Sequence, residues 1–390
     1  MMHQPLSGIK VVDLTRILSG PFCTMLLGDM GADVIKIEGP KEGDPVRKAG
    51  AIVNDLSWYF ASFNRNKRSM ALDLRSEHGK DILRKLIQRS DVLVENFRPG
   101  VLAEMGFDEA SLERINPRLI VASINGYGST GPYADRPTFD FVVQAMSGFM
   151  STNGGVEHPA LRSGPPITDL VAGLYAAFGI VCAVRARELT GRGQRVDAGM
   201  MTSMLSMFAY LTSDYLATGQ LATRTGNDHP IAAPYGLFSA IDGEIAVAPS
   251  TEDVLFRFLT ILDLAHLLSD ERFKTNELRL LHRKELNLLL NERLKTDTQI
   301  SWINRLNSGG VPCGRVQNVG EALNDPQMIH QEMVLEVDHP SHGLVKMVGF
   351  PLKLSGTPCS VRFPAPKHGE HTREILEELG MQHLADSTPT

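Results

Sequence analysis

The sequence predicts an α/β fold: a doubly wound, mostly parallel sheet in a Rossmann-like large domain, joined to a smaller α+β domain. Three observations predict it. Short β-branched runs alternate with helical segments over residues 9–124, the pattern of strand–helix–strand units. The strands end in turns such as Leu18-Ser19-Gly20-Pro21, at the carboxyl ends where open sheets of this kind bind ligands. Composition then shifts at 218–230, through Thr-Gly-Gln and Thr-Gly-Asn-Asp-His-Pro, which marks a linker.

Taken in order, residues 9–14 form the first strand. Pro21 suits a first helical position, and its helix runs to about residue 30 and stops at Gly31. Residues 32–38 are the second strand. Residues 39–66 read as a long irregular loop holding Trp58, Tyr59 and Phe60, and loops of that length are usually functional. Strands at 70–74, 91–95 and 119–124 alternate with helices at about 77–89 and 100–116. A glycine-dense turn at 126–132 leads through Arg136-Pro137-Thr138-Phe139-Asp140 into a helix carrying Gln144. Residues 194–198 are a further strand, and 200–217 an amphipathic helix striped with methionine. The second unit has strands at 236–239 and 244–248 and helices at about 252–262, 283–294 and 298–308. Strands at 313–316 and 334–338, late strands at 346–348 and 353–354, and a helix at 370–379 complete the chain. The domain boundaries are therefore set at 1–217, 218–330 and 331–390, the last being a segment that returns to the large domain.

Bulk properties narrow the function. The 390 residues carry 43% hydrophobic and 22% charged side chains and a net charge of −6, so neither a nucleic-acid surface nor a polybasic membrane patch is indicated. Four scattered cysteines with no CxxC pair and twelve scattered histidines with no HExxH argue against a zinc site or disulfide framework. No signal-peptide pattern opens the sequence, and a cytoplasmic setting is expected. The loop after the first strand is not GxGxxG and no P-loop occurs, which speaks against a nicotinamide or ATP site.

Residues 159–187 hold the chemistry. Pro165 and Pro166 favour an extended approach, Thr168 reads as an N-cap, and Asp169 falls in the first turn of an almost wholly apolar helix running to about residue 184. Gly173, Ala176, Ala177 and Gly179 give that helix a thin face, so a second backbone can come close. The apolar run 170–184 is shorter than the roughly 18–20 residues that span a bilayer, and reads as a core helix. The helix N-terminus is expected to favour the ionised Asp169 carboxylate. Such a group either serves its helix or acts as a covalent nucleophile.

Together these motifs resemble the class III CoA-transferase family, which includes formyl-CoA, carnitine and succinyl-CoA-dependent transferases. The likeness rests on Val12-Asp13-Leu14-Thr15-Arg16 with Ser19-Gly20-Pro21, on residues 31–38, and on Asn64-Arg65-Asn66-Lys67-Arg68. It continues in residues 91–100, in Gly126-Tyr127-Gly128 with Gly131-Pro132, and in Thr168-Asp169 with Gly173. The resemblance implies that Asp169 attacks an acyl-CoA thioester and passes through an aspartyl anhydride and an aspartyl-CoA thioester. It implies that coenzyme A, as substrate, is bound by Arg16, Leu18, Ser19, Leu72, Asp73, Leu74, Arg75, Asn96, Phe97 and Arg98, with Pro137, Thr138, Phe139 and Asp140 along the pantetheine. Neither metal nor nicotinamide is implied. An interlocked homodimer is, each chain passing through a ring made by the other.

Departures refine the expectation. Glu104 stands where some relatives carry an arginine for CoA, so Arg98 is assigned that work. Leu18 replaces the glutamine of formyl-CoA transferases, which speaks against oxalate as acceptor. The glycine-rich loop of relatives corresponds to Ala248-Pro249-Ser250-Thr251, which holds no glycine. The α-methylacyl-CoA racemases of the same fold need a histidine where Phe139 stands, and a phenyl ring cannot take a proton. Such a racemase and a non-catalytic CoA-binding protein are the two alternatives. The expected function is transfer of CoA from an acyl-CoA, succinyl-CoA first, to a small dicarboxylate or hydroxy-dicarboxylate. Arg162 or Arg224 is the candidate cation for the second carboxylate, and His229 a candidate acceptor contact.

Overall fold

The computed structural model describes residues 4–387. Six strands form one parallel sheet: β1 (Lys10–Asp13), β2 (Asp33–Glu38), β3 (Lys67–Ala71), β4 (Val92–Glu95), β5 (Ile120–Asn125) and β6 (Arg195–Gly199). Their order is β3-β2-β1-β4-β5-β6, and every neighbouring pair is parallel. The order reverses between β1 and β4, and a crevice opens above their carboxyl ends.

The strands are nearly continuous apolar runs because both faces are covered. One face carries α1 (Ser19–Asp29) and the long α6 (Ile167–Thr190), whose Ala172, Ala176, Ala177, Ile180 and Ala183 pack on Val11, Val34, Val94 and Ala122. The other face carries α3 (Glu77–Gln88), α4 (Glu109–Ile115) and the C-terminal α10 (Thr372–Glu378), which puts Ile375 and Leu376 against Val12, Ile35 and Met70. Between β2 and β3, residues expected to be irregular contain a short hairpin, Ile52–Val53 with Leu56–Ser57, and α2 (Trp58–Asn64), capped by the Ser57 hydroxyl accepting from Phe60 N–H.

Several expected bounds differ. The third strand is Lys67–Ala71, three residues earlier than the apolar pattern placed its start, because Lys67 is a buried part of it. The helix expected at 100–116 is two pieces, Val101–Glu104 and α4, separated at Gly106 with φ +92°. The helix expected at 200–217 is likewise split, into Met200–Ser206 and Tyr210–Thr218, at Ala209 with φ +50°. Residues 353–354 form no strand.

The chain divides into two compact units. One comprises the residues up to Phe149, Ser163–Tyr210 and those from Pro326 on; the other comprises Met150–Arg162 and Leu211–Asp325. These boundaries stand against the expected 217/218 and 330/331, and Met150–Arg162 joins the second unit. Arg224 holds it there, donating to the carbonyls of Gly155 and His158. In the second unit, β7 (Gly236–Ala240), β8 (Gly243–Val247) and β9 (Cys313–Arg315) form an antiparallel sheet. Helices α7 (Glu252–Ile261), α8 (Arg283–Leu294) and α9 (Gln299–Ser308) cover it around the fully buried Trp302. The Trp302 indole donates to the Leu294 carbonyl at 2.7 Å. Thr251 caps α7 by accepting from Val254 N–H, which accounts for a threonine at the end of the glycine-free 248–251 loop.

The thin face of α6 does what its small residues allow. A Cβ added at Gly173 would lie 2.5 Å from the Ser19 carbonyl oxygen. Gly173→Ala should therefore destabilise the protein by about 1–3 kcal/mol and push the Ser19 turn off α6, read as a lower denaturation midpoint together with weakened acyl-CoA binding. Unchanged stability would mean that the approach of α6 to this turn is not tight.

Candidate active site

The turn after β1 is built on buried charge. Asp13 ends the strand; its carboxylate accepts from Thr15 N–H (2.8 Å), Thr15 Oγ1 (2.5 Å) and Thr24 Oγ1 (2.7 Å), and pairs with Lys67 Nζ at 3.1 Å. Lys67 also donates to Pro21 O and Asn64 Oδ1, each at 3.0 Å. Lys36 Nζ, from β2, donates to Thr15 O at 2.8 Å and pairs with Asp44 at 2.9 Å. Asp44 in turn accepts from the backbone N–H of Ile17, held at φ +70°. A β-branched residue rarely adopts that conformation, which costs on the order of 1–3 kcal/mol and persists only where the surroundings impose it.

Asp13, Lys36 and Lys67 are each 0% exposed. Burial raises the Asp13 carboxyl, but Lys67 and Lys36 reverse this and hold it below the usual carboxylate range. Burial lowers Lys67 to about 8, against the pull of Asp13. Glu38, buried but clamped by Arg47 at 2.6 and 2.8 Å, is lowered to about 2. Sequence reasoning missed this network, although a lysine inside an apolar parallel strand, as in Val34-Ile35-Lys36-Ile37, was its signal.

Two clefts adjoin along Arg16, Phe97 and Val101. The larger, about 850 Å3, is lined by Arg16, Leu72, Asp73, Leu74, Arg75 and Phe97, with Lys41, Lys80 and Glu104 on its walls. The other, about 610 Å3, is lined by Arg16, Leu18, Ser19, Asn96, Phe97, Arg98, Pro137, Thr138, Phe139 and Asp169. All the positions predicted for the nucleophile and for CoA except Asp140 thus line one cleft or the other, whereas Arg162, Arg224 and His229, the candidates for the acceptor, line neither. Arg16 and Asn96 bridge the switch crevice reciprocally: Arg16 N–H donates to Asn96 Oδ1 at 2.9 Å, and Asn96 Nδ2 donates to Arg16 O at 2.8 Å. Arg136, unpredicted, also lines the second cleft and stacks on Tyr133 at 3.7 Å. Lys41, Lys80 and Arg136 were missed because a lone surface cation carries no sequence signal of its own.

Asp140 lies outside the lining. It is 8% exposed and opens α5 (Asp140–Met146). Its Oδ1 accepts from Thr168 N–H (2.9 Å) and Thr168 Oγ1 (2.8 Å), while Oδ2 accepts from Gln144 Nε2 (2.7 Å). Thr168 is therefore not the N-cap of α6. The helix begins at Ile167 behind Pro166, and it is Asp140 that satisfies the free Thr168 N–H from another helix. Nor does α6 end near residue 184; it runs to Thr190 and closes on Gly191. At 24 residues it has the length and apolarity of a membrane span, yet its small-residue face lies on the sheet.

Asp169 does sit in the first turn of α6, and Ser19 hydrogen-bonds its carboxylate. The expected preference for the ionised form is overturned. Burial, then the nearby Asp140 carboxylate, raise the Asp169 carboxyl to about 7 against the Ser19 hydrogen bond. Desolvation and like charge outweigh the helix end because the dipole is worth only about 0.3–1 kcal/mol at most sites. In the second unit, the His229 ring lies 4.6 Å from that of Tyr235, and burial lowers its imidazole below the usual range.

A family model, CoA-transferase family III, matches residues 6–372. The chain belongs to this family. It is 37% identical to human succinyl-CoA:glutarate CoA-transferase over 96% of this chain and 86% of that protein. It is also 37% identical to acetyl-CoA:oxalate CoA-transferase of Acetobacter aceti, over 96% of each. A crystal structure of a CAIB/BAIF family protein from Brucella suis superposes with a TM-score of 0.86 at 38% identity, covering 97% of this chain and 100% of that one. The protein is thus an enzyme of CoA transfer between carboxylic acids, with CoA as the group carried.

In the transferase, the buried charges and the cleft are coupled through the 15–20 turn. Lys67→Met leaves Asp13 as an unpaired buried charge and should cost about 3–5 kcal/mol in urea denaturation, with Asp13→Asn restoring part of the loss in the double variant. A cost below about 1 kcal/mol would show that the pair does not hold the turn.

Proposed function

We propose that this transferase moves CoA from succinyl-CoA to a second small dicarboxylate through covalent intermediates on Asp169. The observation that carries the proposal is the place of Asp169: at the start of a rigid core helix, on the wall of the cleft that also holds Asn96, Phe97 and Phe139, hydrogen-bonded by Ser19 and of near-neutral proton affinity. A carboxylate held in that state is more basic than a free one and hence a better nucleophile.

In the proposed cycle an Asp169 oxygen adds to the thioester carbonyl, the C–S bond breaks, and the CoA thiolate leaves with the electron pair. The thiolate then attacks the aspartyl carbonyl of the anhydride, releasing succinate and leaving an aspartyl-CoA thioester. The acceptor carboxylate attacks that thioester, the C–S bond breaks, and the CoA thiolate departs, leaving a second aspartyl anhydride. The thiolate then attacks the acceptor's carbonyl, giving the acceptor's CoA thioester and freeing the Asp169 carboxylate. The larger cleft, with Arg16, Lys41, Arg75 and Lys80, suits the nucleotide phosphates, and the smaller one suits the pantetheine arm. The donor and acceptor follow the succinyl-CoA:glutarate relative, and the apolar Leu18 on the cleft wall favours a longer dicarboxylate over oxalate.

One incubation tests this. The protein is mixed with succinyl-CoA, a panel of glutarate, citramalate, malate and oxalate, and a branched acyl-CoA as control in heavy water, and acyl-CoA masses are read. The expected product is a new acyl-CoA of a longer dicarboxylate without α-deuterium, formed by the wild type and lost in Asp169→Ala. Transfer retained in that variant defeats the assignment of Asp169. Oxalyl-CoA alone would overturn the acceptor, and α-deuterium in a branched acyl-CoA with no transfer would establish proton abstraction in its place.

We also propose an interlocked homodimer. In support, α6 exposes Leu174, Tyr175, Phe178 and Val181 as a stripe, next to Ser206 and Met207, whose side chains contact the Tyr175 hydroxyl. Contiguous exposed apolar surface of this kind marks an association face. Sedimentation at micromolar concentration should show a dimer, and a monomer there would remove the proposal.

A further inference from the structure

Asp140 is a buried carboxylate that the cycle above does not use. It lines neither cleft, yet it supplies the side-chain cap at the start of α6 that Pro166 at the helix's own N-cap does not. A chain of hydrogen bonds passes through it. Ser163 N–H donates to Gln144 Oε1 at 2.8 Å, Gln144 Nε2 donates to Asp140 Oδ2 at 2.7 Å, and Asp140 Oδ1 accepts from both donors of Thr168. Gln144 and Thr168 are 0% exposed. Both ends of Ser163–Thr168, the segment that enters α6, are thereby fixed to α5, and the residue after Thr168 is Asp169.

A neutral acceptor such as Ser or Asn serves as a helix cap at least as well as an acid. An acid placed here keeps a second negative charge close to the partly buried Asp169. Other titratable or charged groups bear on Asp169 within its unit. Tyr59 of α2 feels the Asp169 charge, and Arg16, Arg98 and Arg136 line the same cleft.

We propose that Asp140 is a positioning residue for the reaction: a buried anion that caps α6 from a neighbouring helix and opposes, through space, the negative charge of Asp169. The consequence follows from the charge balance of the cycle, on whose assignment of Asp169 this inference rests. Free Asp169 is an anion beside an anion. As anhydride or as CoA thioester, residue 169 is neutral, the charge having left on the thiolate or on succinate. Repulsion by Asp140 is therefore present before each attack by Asp169 and relieved once the covalent bond forms. It raises the free carboxylate relative to both intermediates and increases its basicity.

The test is formation of the enzyme-bound CoA thioester from succinyl-CoA alone, followed by rapid quench and intact-protein mass across pH. In the wild type the rate should rise through a limb near 7, the raised value of Asp169. Asp140→Asn keeps an acceptor for Thr168 and removes the charge. Its limb should move down by about one unit, and its plateau should fall several-fold as Asp169 becomes less basic. Affinity for CoA should not change, because Asp140 touches neither cleft. Asp140→Ser, a smaller neutral cap, should shift the limb the same way should the asparagine variant fold poorly. Ser19→Ala, which removes a hydrogen bond to the Asp169 carboxylate, should shift the limb upward and so identifies the titrating group. A limb unmoved in the neutral Asp140 variants would overturn the proposal while leaving Asp169 as nucleophile. Thioester formed by Asp169→Asn, or none formed by the wild type, would overturn both.

Discussion

The Asp13–Lys67 ion pair, with Lys36 and Asp44 beside it, is the interaction on which the site depends. Four charges removed from water are costly, and they are tolerated because each is paired and hydrogen-bonded. What they secure is the path of the backbone between β1 and α1. Thr15 is held at both its N–H and its carbonyl, Ile17 is kept at positive φ by Asp44, and Pro21 O is bound by Lys67. A turn held in so many places presents Arg16 to Asn96 across the switch crevice and Ser19 to Asp169 at its back. An apolar substitute for these charges would fill the same space but could not grip backbone carbonyls.

The second constraint is close approach. Helix α6 starts at the site and runs along the sheet, and Gly173 lets it lie against the Ser19 carbonyl. A side chain there would separate the helix from the turn and carry Asp169 away from Ser19. The same closeness sets the electrostatics. Packing that brings Asp169 under the turn and beside α5 also takes it partly out of water and places it near Asp140. The helix dipole acts in the opposite direction and is the weaker effect, because its field is spread over the unpaired N–H groups of the first turn while desolvation acts on the whole charge.

Much of this was legible along the chain. Alternation of strand and helix predicted the doubly wound sheet, since a parallel strand must be followed by a crossover. Small residues at 173, 176, 177 and 179 predicted the close-packed face of α6. Motif order predicted which loops line the clefts, and the structure brings the loops after β1, β3 and β4 together at one end of the sheet. Errors gathered where local signals compete with distant partners. Thr168 has the residue type of a cap but acts as a donor to Asp140, 28 positions away. Lys67 was left outside the third strand because a lysine argues for surface until its carboxylate partner, 54 positions back, is known. The split of the helix after β6 at Ala209 carries no glycine or proline to mark it.

By itself, then, the sequence determined the alternation, the thin helix, the loops that carry the ligand-binding motifs and the position of Asp169 in a first turn. All of these follow from periodicity and residue size over a few consecutive positions. Only the tertiary structure decided that four buried charges pair across three segments, that Asp140 rather than Thr168 completes the helix start, that Met150–Arg162 packs with the second unit, and that the Asp169 carboxyl is raised rather than lowered. The reason is physical. The charge state of a group depends on the water it loses and the charges it meets, and both are set by residues brought close in space from far along the chain.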